Sequence, residues 1–355
     1  MEHASADLSL SVIVPVHNGG EKFRRCLASL KDSLRQPCEI IVVADGDTDG
    51  SWQLATQFGT QVFRFPSPKG PARARNFGAA RSRGEILLFI DADVVVPPHA
   101  IEMVVSTFKR DPHIDALFGS YDDEPGETNF FSQYRNLLHH FVHQHAREDA
   151  STFWGACGAI RRDVFLSIGG FDERYSRPSI EDIELGLRLK KAGGRIRLTK
   201  SRQVKHLKRW DLSSMLRADV FQRALPWTEL ILRERNLIND LNTSIAGRVS
   251  VALTFALVGV LLLCFLEPFA LAGVGAIALI LLLLNAPLYR FFLKKRGWWF
   301  AIQSILAHWV YFCYSGVAFA LGTVLHGINP KRLQYIQSSS RMEGRKTAAS
   351  HMERR

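Results

Sequence analysis

Residues 10–16 and 39–44 are short apolar, β-branched runs, and the polar segment between them carries apolar residues at Phe23, Leu27, Leu30 and Leu34. That alternation admits few folds. Runs that are apolar at successive positions are strands covered on both faces, and a helical crossover between two of them makes the pair parallel. The pattern recurs as a helix over 51–58, a strand at 61–65, a helix over 71–83 and a buried strand at 85–90. The expected fold is therefore α/β, a mostly parallel open sheet with helices on both faces. Ligands of such sheets bind beyond the carboxyl ends of the strands. Here those ends carry Asn18, Asp45 with Asp47, and Asp91 with Asp93, so polar and acidic residues are expected at one rim.

Further along, a helix (100–109) and a strand (116–121) precede a looser region, 122–151, rich in acids and histidines. A helical turn over 161–168 leads to the turn signal Gly169-Gly170-Phe171-Asp172-Glu173, and a charged helix over 181–192 stops at Gly193-Gly194. From 212 to 242, apolar and basic residues mix at helical spacing, as in helices lying on a membrane surface. His139 and His143 stand one helical turn apart, a spacing open to a metal pair. A solvated helix or an acceptor-groove lining fits the cluster His139, His140, His143 and His145 better.

The main compositional boundary falls near 247, where a charged chain becomes strongly apolar up to 325. Stretches 247–266 and 269–288 are each long enough for a hydrocarbon core ~30 Å thick, with Glu267-Pro268 as the hairpin turn between them. A third stretch, 300–325, contains Gln303 and His308 and has Trp298, Trp299, Trp309 and Tyr311 as candidate interface residues. The loop 289–297, with Arg290, Lys294, Lys295 and Arg296, favours the cytoplasmic side and puts the first domain in the cytosol. The expected organisation is a catalytic domain (1–210), amphipathic interfacial helices (211–246), two or three transmembrane helices (247–328) and a basic, unstructured tail (329–355) on a multi-pass protein of the cytoplasmic membrane. Residues 1–9 are polar and acidic, so no cleavable signal peptide is expected. Five widely spaced cysteines suit a reducing cytosol. The net charge of +11 suits nucleic acid, a membrane surface or a polyanionic small molecule. No nucleic-acid module accompanies it, so nucleic acid is not an expected partner.

Asp91-Ala92-Asp93 directly follows an apolar strand. Paired carboxylates there are hard oxygen ligands suited to Mg²⁺ or Mn²⁺, and Mg²⁺ in particular binds substrate phosphates rather than a full protein cage. The ordered set Val12-Ile13-Val14-Pro15-Val16-His17-Asn18, Ala44-Asp45-Gly46-Asp47-Thr48-Asp49-Gly50-Ser51, Ala74-Arg75-Asn76-Phe77-Gly78 and Asp91-Ala92-Asp93 resembles the inverting family 2 glycosyltransferases, over about residues 9 to 210. The resemblance implies a GT-A nucleotide-sugar-binding domain and a nucleoside-diphosphate sugar as donor, expected to be a UDP-sugar. It also implies that Pro15, Val16, Asn18, Asp45 and Asp47 hold the nucleoside, and that Lys69, Arg73, Arg75 and Asn76 face the diphosphate. Asp91, Ala92 and Asp93 would take ribose and metal, with His206 completing the metal site. Two departures stand out: Ala44-Asp45 where the family often has two acids, and Asp47 where it often has serine.

Glu181-Asp182 resembles the family's acid pair beside the acceptor, with Asp182 as expected base and Glu181 as alternate. Gly155, Arg209 and Trp210 are placed on the acceptor or product side. The run from His206 to Trp210 resembles the Gln-x-x-Arg-Trp element of processive synthases with histidine in place of glutamine, which argues for transfer of a single sugar to a lipid or glycan acceptor. Two rival readings are a membrane-bound nucleotidyltransferase and an inactive scaffold. The first lacks a glycine-rich basic loop after the first strand. The second gives no physical reason for Asp45, Asp91, Asp93 and Asp182 to be present together.

Overall fold

The computed structural model describes residues 8–235 and 244–328. Residues 1–7, the end of the expected amphipathic stretch (236–243) and the expected basic tail (329–355) lie outside the described residues. In chain order, β1 (Leu10–Val16), α1 (Gly20–Lys31), β2 (Glu39–Asp45), α2 (Ser51–Gln57), β3 (Gln61–Phe65), α3 (Pro71–Arg81) and β4 (Ile86–Ile90) reproduce the expected alternation. There follow β5 (Val94–Val95), α4 (Ala100–Arg110), β6 (Ala116–Tyr121), α5 (Phe130–His145), β7 (Asp149–Ala150), β8 (Cys157–Arg161), α6 (Arg162–Ser167), α7 (Glu181–Lys191) and β9 (Ile196–His206).

One nine-stranded sheet runs in the order β3-β2-β1-β4-β8-β6-β9-β5, with β7 on β9. Its first half is parallel, β1 pairing with β2 and β4, and β2 with β3. The second half is mixed: β8 runs antiparallel to both β4 and β6, while β6 and β9 are parallel. The central strands are buried residue by residue on both faces, as helix-covered strands must be.

Three differences from the sequence reading have clear physical causes. The region 122–151, expected to be loose, contains the 16-residue helix α5; two of its histidines pack inward, His140 and His143 bonding through Nδ1 to the carbonyls of Tyr121 (2.7 Å) and Gly119 (3.1 Å), while His145 is exposed. It is therefore not a solvated helix. Strand β9 was not expected, because its basic sequence hides the alternation of buried Ile196, Leu198, Arg202, Val204 and His206, which slips by a bulge opposite Phe118–Ser120. The loop expected at 289–297 is helical up to a break at Gly297 (φ 82°).

Beyond β9, a helical run comprises α8 (Leu212–Arg217), a π-helical segment (Ala218–Ala224) and α9 (Leu225–Glu234). Helices α10 (Ile245–Leu263) and α11 (Ala270–Leu284) form the apolar hairpin, and α12 (Ala286–Ile328) returns to the domain. α11 stops before the expected limit of 288, where Asn285 turns its amide onto Ser250 Oγ (3.0 Å) and Leu281 O (2.9 Å). By length and composition α10 and α12 are able to cross a membrane. α12 is also tied to the domain: Arg296 donates to Gln133 (2.7 Å), Lys295 pairs with Asp123, and Tyr314 donates to Asp219 (2.7 Å).

Gly70 shows how closely the rim is built. Its φ is 97°, and a Cβ there would lie 2.5 Å from the Ser176 carbonyl oxygen. Gly70→Ala should lower the unfolding free energy by about 1–3 kcal/mol, read by thermal unfolding in detergent. Gly59→Ala, also at positive φ but with open space around it, should lower it by no more than about 1–2 kcal/mol; equal losses would show that the Ser176 contact is immaterial.

Candidate active site

At the carboxyl ends of β1, β2 and β4 the chain opens into a cavity of about 1220 Å³. Asp45, Asp91, Asp93, Glu181 and Asp182 all line it, together with Pro15, Val16, Asn18, Arg75, Ala92 and His206. The acids of the sequence reading thus share one space.

Arg75 is the hub. Its side chain comes from α3, is 5% exposed, and donates to Asp91 Oδ1 (2.6 Å) and Glu181 Oε1 (3.0 Å). Burial disfavours its charge, yet Asp91 and Glu181 outweigh that and push its pKa up. Nothing in the chain partners its Nε among the described residues.

Asp93 lies just before β5, whose Val94 pairs with His206 of β9. That register sets Asp93 Oδ2 3.6 Å from His206 Nε2, and the imidazole stacks on Tyr121 at 4.2 Å and 12°. Burial raises the Asp93 carboxyl, but His206, Lys208 and Lys22 overcome it and bring the pKa down to about 2. Among the described residues no three His, Cys, Asp or Glu side chains form a ready-made metal cage. Asp91, expected on the metal with Asp93 and His206, is instead turned to Arg75. The Asp93–His206 pair still suits a divalent ion: two ligands held ~2.1 Å from one ion stand ~3–3.6 Å apart, and diphosphate and water normally complete the shell.

Asp182 opens α7. Its Oδ2 accepts from the Gly155 N–H (3.0 Å) and its Oδ1 from the Ile183 N–H (2.8 Å). Burial, then the charge of Glu181, raises its pKa to about 6 despite the Gly155 hydrogen bond and Arg75. That is the range of a carboxylate able to accept a proton near neutrality.

The remaining expected residues divide into two groups. Asp45 lines the cavity, but its two oxygens accept from the Lys69 (2.6 Å) and Gly70 (2.8 Å) amides, fixing the 69–70 loop at the rim. Asn18, at φ 53°, accepts from the Thr48 amide at 2.8 Å. Arg209 pairs with Glu127 (3.2 Å), and the Trp210 ring lies under Arg135 and Lys208, each at 4.2 Å. Asp47, Lys69, Arg73, Asn76 and Gly155 are not among the lining residues. Asp47 accepts from the Trp52 amide at the start of α2 (3.2 Å), Arg73 meets Glu173 (3.6 Å), and Asn76 staples Phe171 through both its amide and its oxygen (2.8 Å each). Lys22, Tyr121, Lys208 and Arg223 line the cavity and were not singled out from sequence as site residues. Of these only Lys208 had a signal, its place inside the basic run beside His206; His139, read from sequence within a histidine cluster, also lines the cavity.

An open sheet with acids gathered at its strand ends is the architecture of a nucleotide-dependent transferase. Residues 11–169 match the model for glycosyl transferase family 2, and residues 135–210 match that for the N-terminal domain of galactosyltransferase. Residues 11–169 are therefore similar in sequence to family 2 glycosyltransferase domains. An uncharacterised glycosyltransferase of Haemophilus influenzae is 28% identical over 51% of this chain and 61% of its own length. Pre-mycofactocin glycosyltransferase of Mycobacterium tuberculosis is 28% identical over 60% of this chain and 45% of its own. The chain thus spans less than two thirds of these relatives. A mannosyltransferase from Pyrobaculum calidifontis, solved with GDP-Man and Mn²⁺, shares the fold with a TM-score of 0.55 at 17% identity, covering 88% of this chain and 87% of that one.

Asp93→Ala should weaken Mn²⁺-dependent binding of a nucleoside diphosphate more than about tenfold, measured by calorimetry with and without the ion. Unchanged Mn²⁺ affinity would remove Asp93 from the metal.

Proposed function

We propose that this chain transfers a single sugar, with inversion, from a nucleoside-diphosphate sugar, read as a UDP-sugar, to an acceptor hydroxyl on a lipid or glycan. The observation that carries the reading is Asp182: a half-buried carboxylate held by the Gly155 amide in the same cavity as Asp91 and Asp93, with its pKa pushed up to about 6. The Gly155 amide and the helix start fix the direction in which the carboxylate points. It accepts the proton of the acceptor hydroxyl as that oxygen attacks the anomeric carbon, and the bond from that carbon to the diphosphate oxygen breaks, so the nucleoside diphosphate leaves with the electron pair. Arg75 holds Asp91 and Glu181 in place, and the Asp45 clamp keeps the 69–70 loop over the nucleoside. Asp93 and His206 would hold Mn²⁺ or Mg²⁺, which when bound neutralises charge on the departing diphosphate.

The helices beyond 245 serve as a membrane anchor in this reading. Phe265, Leu266 and Phe269, at the tip of the α10–α11 hairpin, are 87%, 83% and 88% exposed, an apolar surface that water disfavours. α10 at 1.5 Å per residue is about 28 Å long. The basic residues Lys295 and Arg296 contact Asp123 and Gln133 of the domain, which supports the domain and that basic segment sharing one side of the membrane, the cytosolic side by charge.

Asp182→Asn should keep nucleotide-sugar binding while kcat falls ~10²–10⁴-fold; a variant that transfers normally clears Asp182 of the role. Because the base works deprotonated, a pKa raised to about 6 means that kcat/KM of the natural enzyme holds above pH 6 and falls tenfold per unit below it. An acid limb centred near ~4, the ordinary aspartate range, would point to another group.

A further inference from the structure

The cavity does not end at the acids. It continues into a second limb walled by Trp227, Ile231, Val251, Phe255, Phe312 and Phe319, side chains of α9, α10 and α12. The whole volume exceeds the ~300–1,000 Å³ of an ordinary small-molecule site, which leaves room for an acceptor beside the donor. Apart from Thr228, Arg248, Tyr311 and Ser315, these walls give a sugar's hydroxyls no partner, and burying unpaired hydroxyls is costly. A hydrocarbon chain suits them.

Two further cations line the same space. Arg223 lies one helical turn before Trp227, and its charge reaches Asp182, where it opposes the upward shift of that carboxyl. Arg177 lies in the loop before α7 and lines the same space. Arg75 has Asp91 and Glu181, and Arg135 has Asp219 at 2.6 Å. Arg177 and Arg223 have no carboxylate at ion-pair distance among the described residues. The apolar limb is shared with α10 and α12, whose outer faces expose Leu262, Val310 and Val317, so it is continuous with the surface read above as membrane-facing.

Resting on the glycosyltransferase reading of the site, we propose that the second limb binds the acceptor as a membrane lipid. Its anionic headgroup is held by Arg223 and Arg177, its acyl or prenyl chain lies along the apolar wall, and its free hydroxyl faces Asp182. The charges complement, and each part of the molecule meets a wall of its own chemistry.

The test titrates the full chain, in neutral detergent, with dioctanoyl phosphatidylglycerol, dioctanoylglycerol and glycerol 1-phosphate. The first carries charge, hydroxyl and tail together; the other two each lack one part. Dioctanoyl phosphatidylglycerol should bind about tenfold or more tighter than either, the scale of one charge-assisted hydrogen bond. Arg223→Gln should erase its advantage over dioctanoylglycerol, Arg223→Lys should restore part of it, and Ser315→Phe, which narrows the apolar limb, should weaken both lipids while sparing glycerol 1-phosphate. Equal affinity for all three probes, or full phosphatidylglycerol affinity in both Arg223→Gln and Ser315→Phe, would overturn the proposal. Binding of nucleoside diphosphate with Mn²⁺ is followed in each variant. Its absence from the natural protein would sink the glycosyltransferase reading independently of the lipid result.

Discussion

One buried guanidinium, that of Arg75, holds the two halves of the site in register. It reaches from α3 to Asp91, at the end of the parallel half of the sheet, and to Glu181, at the start of α7. Glu181 is buried with it while Asp91 is a third exposed, so the Arg75–Glu181 pair is the one whose breaking costs on the order of 3–5 kcal/mol. The strand-end acids of the first 95 residues and the Glu181–Asp182 pair are therefore locked to a common origin. The neighbouring backbone follows the same logic: the Gly155 amide on Asp182 and the 69–70 amides on Asp45 are fixed donors aimed at fixed charges.

Much of this arrangement is legible in the amino-acid sequence. The parallel half is readable because each of its central strands is buried on both faces, so continuous apolar runs announce them, and the acids directly after β2 and β4 follow from strand-end logic. Strand β9 is hidden because its outward residues are Arg197, Lys200 and Lys205, which drown the alternation of its buried face. Helix α5 is hidden because histidines and a glutamine do the inward packing that leucines usually announce. Distances across the fold are also out of reach: nothing in a linear reading says that Asp91 will be held by Arg75 rather than left to a metal, or that Asn76 and Asp47 will be structural staples. The Asn76 staple depends on a contact 95 residues away, and those of Asp91 and Asp47 on which way their carboxylates turn.

The mixed half of the sheet completes the site. β9 brings His206 opposite Val94, and so to Asp93, through two paired residues. The run after it, 207–210, carries Lys208 and Trp210 along the cavity wall before the chain enters α8. The π-helical segment then places Asp219 toward Arg135 and Tyr314 and Arg223 into the cavity. Such segments recur at functional sites because they re-aim side chains within a helix. The apolar helices are joined to the α/β domain through these same residues, so helices and cavity form one packed unit in which Tyr134 and Phe292 share a core with Trp210.

The claim on which the rest stands is that donor grip and proton acceptance are coupled through Arg75. The most direct measurement compares nucleotide affinity in the presence of Mn²⁺ with the rate of transfer per bound complex in Arg75→Lys, which keeps the charge but lacks the two-pronged donor geometry. The account predicts that both fall together. Weakened nucleotide binding with an unchanged transfer rate per complex would contradict it, because the two ends of the cavity would then be independent.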